Sequence, residues 1–277
     1  MKPYVWKDSG LIQESESSFL LQRSGLDCGA GVFTTLKLKD GRFENLPLHI
    51  ERLRAHAQLL DIQAGPICEE YFYALRDATE AHAGAFRVKA YIVAEDALAD
   101  SWKKSSFMIS LEPYEPTKKE ALSVDCVPFE PSDMVARIKT LSRLERRMLY
   151  IQTKAKGLDE CLTYSREGYL LEGLYANLFW ECEGHVYTPD PLLPLMYGIT
   201  IQTLFAKLPE LGYNVHFACQ TLDELSPKSH LFLSNSLIHC LPIISIKNRI
   251  FKRNHSFEMD LFLILNNVGG YEYSRNE

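Results

Sequence analysis

Few groupings of reactive side chains in the 277 residues survive a test of spacing. The eight histidines include no HxxxH or HxH pair. His49 and His56 stand a heptad apart on one expected helix, where core-edge or surface histidines are commoner than ligands, so no metal site is expected. Seven cysteines, odd in number and without a CxxC pair, read as reduced structural thiols rather than a disulfide frame or zinc centre. Neither a GxSxG elbow nor a GxxxxGK(S/T) loop occurs, so serine-hydrolase and P-loop chemistry have no local warrant. Gly29-Ala30-Gly31 lacks the third glycine of a dinucleotide fingerprint and reads as a tight turn. Lys139 stands out by its setting. It closes the apolar run Met134-Val135-Ala136-Arg137-Ile138, read as a strand, and precedes a helical pattern carrying Leu141, Leu144 and Met148. At such a junction a lysine with a buried stem has a lowered pKa and acts as a nucleophilic amine. By spacing alone, a buried-stem lysine without a catalytic role is the commoner outcome. Glu172 follows the alternating Tyr169-Leu170-Leu171, and by itself reads as a solvated turn glutamate before Gly173.

The elements that must position these residues alternate between short strands and amphipathic helices. VFTTLKLKDGRF predicts two strands joined at Lys39-Asp40-Gly41. LHIERLRAHAQLL and CEEYFYALRDATEAH predict helices, and FRVKAYIVA an alternating strand. Further strands are expected in ALSVDCVPF, CLTYSREGYLLEG, LFWECEGHVYTP and HLFLSNSLIHCLPIISI, with helices in LSRLERRMLYIQTKAK and TIQTLFAKLPELG, the latter ended by Gly212. The Pro-containing, charged stretch 112–120 is the best linker candidate, giving an N-terminal α/β domain over 1–115 and a C-terminal α/β domain over 116–277 that carries Lys139. Two such domains meeting at a cleft favour a small-molecule substrate. The formal net charge of −6, with no Lys/Arg-dense stripe, argues against a nucleic-acid partner. No apolar run approaches a membrane span, and MKPYVWKDSGLIQESESS has no signal-peptide core, so no membrane association and a cytoplasmic location are expected.

Four blocks then identify a family resemblance: Ile138-Lys139-Thr140-Leu141-Ser142-Arg143-Leu144-Glu145, the run EGLYANLFW from Glu172 to Trp180, Gly198-Ile199-Thr200, and Ser234-Asn235-Ser236-Leu237 with Pro242 after it. With Gly29-Ala30-Gly31-Val32-Phe33 and His49-Ile50-Glu51-Arg52-Leu53 upstream, the chain resembles the fold-type IV pyridoxal-phosphate enzymes, also called class IV aminotransferases. The resemblance implies a two-domain α/β (α+β) fold like that of D-amino-acid aminotransferase, with pyridoxal 5′-phosphate at the domain interface. It also implies a homodimer in which a loop of one subunit closes the other's site. By resemblance Lys139 holds the cofactor covalently and then serves as the proton-transfer base. Glu172 faces the pyridine nitrogen and keeps it protonated. Arg52, the backbone N–H groups of Ile199 and Thr200, and the Ser236 hydroxyl bind the phosphate. Asn177 matches a family asparagine near the cofactor, where contact with the ring and bracing of the loop are both open.

Within the family the details lean toward aminodeoxychorismate lyase. Ser142-Arg143-Leu144-Glu145 is close to the lyase pattern Asn-Arg-Leu-Glu, and Ala176 to Trp180 and Asn235-Ser236-Leu237 are also lyase-like. Ser142 and Ala30 depart from the family's usual Asn and Asp. Leu174-Tyr175 stand where small or hydroxyl residues are common, and Arg23 lies one residue farther from the glycine turn than the pattern places it. Ala94 and Ile201 stand where relatives often carry an arginine. The leading expectation is a lyase converting 4-amino-4-deoxychorismate to 4-aminobenzoate and pyruvate, on the route to folate. The alternatives are a transaminase acting on branched-chain or D-amino acids with 2-oxoglutarate, and a non-catalytic member of the fold.

Overall fold

The computed structural model describes residues 4–7, 10–13, 28–95 and 102–267; Arg23 lies outside them. Contacts divide the chain into two compact units. The first is Met1–Pro116 with Ile138–Arg143, the second Thr117–Arg137 with Leu144–Glu277.

Among the described residues, the first unit is a six-stranded sheet with two helices. Its strands are β1 (Tyr4–Lys7), β2 (Gly10–Gln13), β3 (Gly31–Lys39), β4 (Arg42–Phe43), β5 (Ala85–Ala94) and β6 (Ser105–Pro113), in the order β2-β1-β6-β5-β3-β4. The expected turn at Asp40-Gly41 joins β3 to β4, with both residues at positive φ. Helix α1 (Leu46–Leu59) buries Leu46, His49, Ile50, Leu53 and Ala57 along one stripe, and α2 (Glu69–Ala78) buries Phe72 and Leu75. These pack on Val32, Leu36 and Leu38 of β3 and Val88, Ala90 and Ile92 of β5. Each fully buried leucine here contributes roughly 1.5–3 kcal/mol.

In the second unit β7 (Leu122–Pro128), β8 (Glu160–Tyr164), β9 (Leu170–Gly173), β10 (Asn177–Cys182), β11 (His185–Pro189), β12 (Asn214–Ala218), β13 (His230–Asn235) and β14 (His239–Ile246) run in the order β12-β11-β10-β13-β14-β7-β8-β9. The ninth strand, β15 (Arg249–Ile250), pairs with β14. Strand β9 also pairs with β10 through Asn177↔Glu172, so six strands close on themselves. Alternation sends Leu178, Trp180, Leu231 and Leu233 into one core and Phe179 and Phe232 into another. That second core holds α5 (Ile199–Lys207), which runs on as a short 3-10 turn through Pro209 to Gly212, and α6 (His255–Asn267). The remaining helices are α3 (Asp133–Ala136) and α4 (Leu144–Ala155).

The strand expected over 134–138 is instead the helical turn α3, and its Met134 and Val135 side chains are exposed. A short, mostly apolar run fits either conformation, and among the described residues no strand pairs with this one. A cut at 115/116 assigns Lys139 to the second domain, whereas by contacts Ile138–Arg143 groups with the first unit. The cause is backbone pairing. Phe33 N–H bonds the Lys139 carbonyl and Leu141 N–H bonds the Gly31 carbonyl, both at 3.0 Å, around a Val32↔Thr140 bridge.

That pairing needs glycine at 31. A Cβ there would lie 2.6 Å from Leu141 Cδ1 and 2.7 Å from the Ile92 carbonyl oxygen, which is backbone and cannot step aside. Gly31→Ala should therefore cost about 1–3 kcal/mol, read as a lower urea midpoint with an unchanged slope; an unchanged midpoint would refute the close approach.

Candidate functional site

In the first unit α1 carries His49, Arg52 and His56 at spacings of three and four residues, so the three side chains share one stripe. Alternation along β3 turns Thr34 toward them. Thr34 Oγ1 accepts a 2.6 Å bond from Arg52 Nη2 and lies 2.7 Å from His49 Nδ1. Among the described residues the buried Arg52 Nε has no hydrogen-bond partner. Burial lowers the Arg52 pKa to about 10, which leaves it charged at neutral pH. A buried permanent cation with an unused donor is a receptor for an anion.

His56, one turn on, accepts the backbone N–H of Lys139 on Nδ1 at 3.0 Å. Burial first, then the charges of Arg52 and Lys139, lower its pKa to about 4, and the same causes hold His49 well below the usual imidazole value. The Lys139 ammonium and the Arg143 guanidinium each lie 5.0 Å from the centroid of the Phe33 ring, which stacks on Tyr91. Lys89 is half-buried on β5; burial, then Arg87 and Arg143, lower its pKa.

In the second unit the closing bridge sets Glu172 opposite Asn177. Arg146 on α4 donates to Glu172 Oε1 at 2.6 Å, and Asn177 Nδ2 approaches Oε2 at 3.4 Å. Both partners of the ion pair are largely buried. Asn177 also donates to the Met196 carbonyl at 2.6 Å and accepts the Gly198 N–H at 3.1 Å. Gly198 begins α5 without a side-chain cap, so the first-turn N–H groups, including those of Ile199 and Thr200, can meet an anion. A side chain at 198 would collide with the Asn177 amide oxygen. Ser234, in register with Asn177, is fully buried, and among the described residues its hydroxyl has no partner. Ser236 lies on a turn closed by Asn235, whose Oδ1 accepts the N–H groups of Leu237 and Ile238 at 2.8 and 3.0 Å.

Arg52 and Lys139 thus come together in the first unit, and Glu172, Asn177, Ile199 and Thr200 in the second, with Ser236 on the turn after β13. Four further residues carry the arrangement. His56 follows Arg52 by four positions on the same expected helix, a spacing that could have marked it. Thr34 shares a strand face with the buried Val32 and Leu36. Arg146 and Ser234 had no local signal, because their relation to Glu172 and Asn177 is made only by the fold.

Both imidazoles are neutral in the fold, and unfolding restores their ordinary affinity for protons. The unfolded chain then binds more protons below pH 6.5, so the stability present above 6.5 is lost as pH falls from there toward about 4. Urea midpoints measured across that range should fall with acidification, and less steeply in His56→Asn. Parallel slopes in the two proteins would show that His56 is not held neutral.

Residues 31–246 match the family model described as Amino-transferase class IV. A curated bifunctional aminodeoxychorismate lyase / D-amino acid transaminase of Mycobacterium tuberculosis is 25% identical over 232 residues, 76% of this chain and 79% of that protein. An aminodeoxychorismate lyase of Bacillus subtilis is 23% identical over 254 residues, 88% of this chain and 86% of that one. Among solved structures, the branched-chain aminotransferase of Thermoproteus uzoniensis superposes with a TM-score of 0.87 at 22% identity, covering 98% of this chain and 96% of that one. At that identity the superposition shows the fold, while the family match spans well over half of the sequence. The chain belongs to the class IV aminotransferases, a family of pyridoxal-phosphate enzymes.

Proposed function

We propose that the protein is a pyridoxal-phosphate-dependent 4-amino-4-deoxychorismate lyase, releasing 4-aminobenzoate and pyruvate by elimination on the route to folate. The observation that carries this reading is the place of Arg143. Its guanidinium lies on the Phe33 ring that the Lys139 ammonium also approaches, instead of extending along the surface of α4. It supplies a cation for a substrate carboxylate beside the reactive amine, whereas Ala94 and Ile201 supply none.

The residues fit the cofactor. In the first unit Arg52 with its buried Nε suits a phosphate, and so in the second do the uncapped start of α5 at Ile199 and Thr200 and the Ser236 hydroxyl. Glu172, oriented by Arg146 and Asn177, suits a protonated ring nitrogen. Bound at these residues, pyridoxal 5′-phosphate supplies an electron sink for the carbon bearing the substrate's amino group. Lys139 holds the cofactor covalently and then takes the proton from that carbon. Arg143 holds a carboxylate so that this C–H bond faces the lysine, and the enolpyruvyl ether departs as the ring becomes aromatic. The same reading makes the protein a cytoplasmic homodimer. A transaminase would instead return the proton to the cofactor and grip an α-carboxylate for a second substrate.

Borohydride treatment of the loaded protein should fix the cofactor to the peptide containing Lys139; label on another lysine would remove the assignment. Glu172→Gln should keep the cofactor and lose turnover. Arg52→Ala should chiefly weaken cofactor binding, by about 1.5–3 kcal/mol for a charge-assisted bond. For the reaction itself, aminodeoxychorismate should give stoichiometric pyruvate and 4-aminobenzoate, with negligible glutamate from amino acids and 2-oxoglutarate. Rapid glutamate formation without aminobenzoate would establish the transaminase.

A further inference from the structure

We propose that His56 is a positioning residue that registers Lys139 against Arg52, so that helix α1 sets the span between the covalent and phosphate anchors of the cofactor. The inference rests on the roles proposed above for Lys139 and Arg52. Its basis is how the Lys139 backbone is held. The Lys139 carbonyl and the Leu141 N–H are bonded to β3 by main-chain groups, and those bonds do not depend on any side chain. The Lys139 N–H is bonded by the His56 side chain. That bond ties the lysine to the helix that bears Arg52.

Four residues separate Arg52 from His56, one helical turn and about 6 Å of rise. Arg52 is itself fixed by its bond to Thr34 of β3. A helix, a strand and the lysine segment therefore form one braced triangle, with an anion receptor at one corner and the reactive amine at another. The brace works only with a neutral imidazole protonated on Nε2, since Nδ1 must accept. Burial and the two neighbouring cations, Arg52 and Lys139, keep the ring neutral down to about pH 4. His49, on the same stripe, is neutral for the same reasons and contacts Thr34.

The test compares pyridoxal 5′-phosphate with pyridoxal, which has the aldehyde and no phosphate, on purified apoprotein. In the wild type the phosphate adds affinity because one rigid frame presents both anchors, making the second engagement intramolecular. His56→Ala should cut the ratio of the two affinities roughly tenfold, about 1.4 kcal/mol, while pyridoxal alone still binds covalently to Lys139. His56→Asn, whose Oδ1 takes the place of Nδ1, should keep the ratio within about twofold. Thermal unfolding of each apoprotein separates folding defects from registration. If His56→Ala does not fold, His56→Gln replaces it, because its acceptor lies one bond farther out and should lose the ratio in the same way. Equal losses for both ligands, or an unchanged ratio in the alanine or glutamine variant, would overturn the positioning role and leave the enzyme assignment standing. Label on a lysine other than Lys139 in the wild type would remove the assignment and the inference together.

Discussion

The first unit depends on one stretch of backbone pairing, the addition of residues 138–143 to the open edge of β3. Strand β4 is only two residues long and covers Leu38 and Lys39, so the edge at Gly31–Phe33 has room for another segment. The chain leaves the second unit after α3, lays Lys139 to Leu141 along that edge, and re-enters the second unit at Leu144. Ordering a segment costs about 1–2 kcal/mol per residue in backbone entropy. Two main-chain bonds, the bridge at Thr140 and the His56 bond offset that cost.

In the second unit the corresponding constraint is closure. A single bridge joins β9 to β10, and its two residues are Glu172 and Asn177. Asn177 then reaches the Gly198 N–H at the start of α5, so a carboxylate and a helix N-terminus are set by one amide side chain. Arg146 occupies the other carboxylate oxygen and leans over the Phe129 ring. A buried carboxylate without such a partner would carry a heavy desolvation cost, so the ion pair is what allows Glu172 to sit on an inner strand.

Most of this framework was legible from the sequence, and the residues explain why. Alternation identified the strand Ala85–Ala94, whose side chains are buried at every second position from Phe86 to Ile92, and the Asp40-Gly41 turn marked the Val32–Phe43 hairpin. The run 134–138 misled because four apolar residues interrupted by Arg137 carry no clear period, and its methionine proved to face solvent. Lys139 was singled out by its motif, since no local pattern says that a segment will add to a strand more than 100 positions earlier. The contacts of His56 and Arg146 were hidden for the same reason: they meet their partners across 83 and 26 residues of chain.

The charges of the first unit bear on the chemistry more than any single contact does. The chain as a whole is acidic, yet Arg52, Lys139, Arg143 and Lys89 share one unit closely enough to lower neighbouring pKa values or to rest on one aromatic ring. Two imidazoles in the same neighbourhood give up their protons, and Arg52 keeps a buried N–H without a partner. Cations held together in this way repel one another, and an anionic ligand converts that repulsion into binding free energy. The proposed ligands have the matching sign: a phosphate for Arg52 and a carboxylate for Arg143. An anion at Arg52 would offset the desolvation that burial imposes on that guanidinium, so binding there favours a ligand with an acidic group over a neutral one.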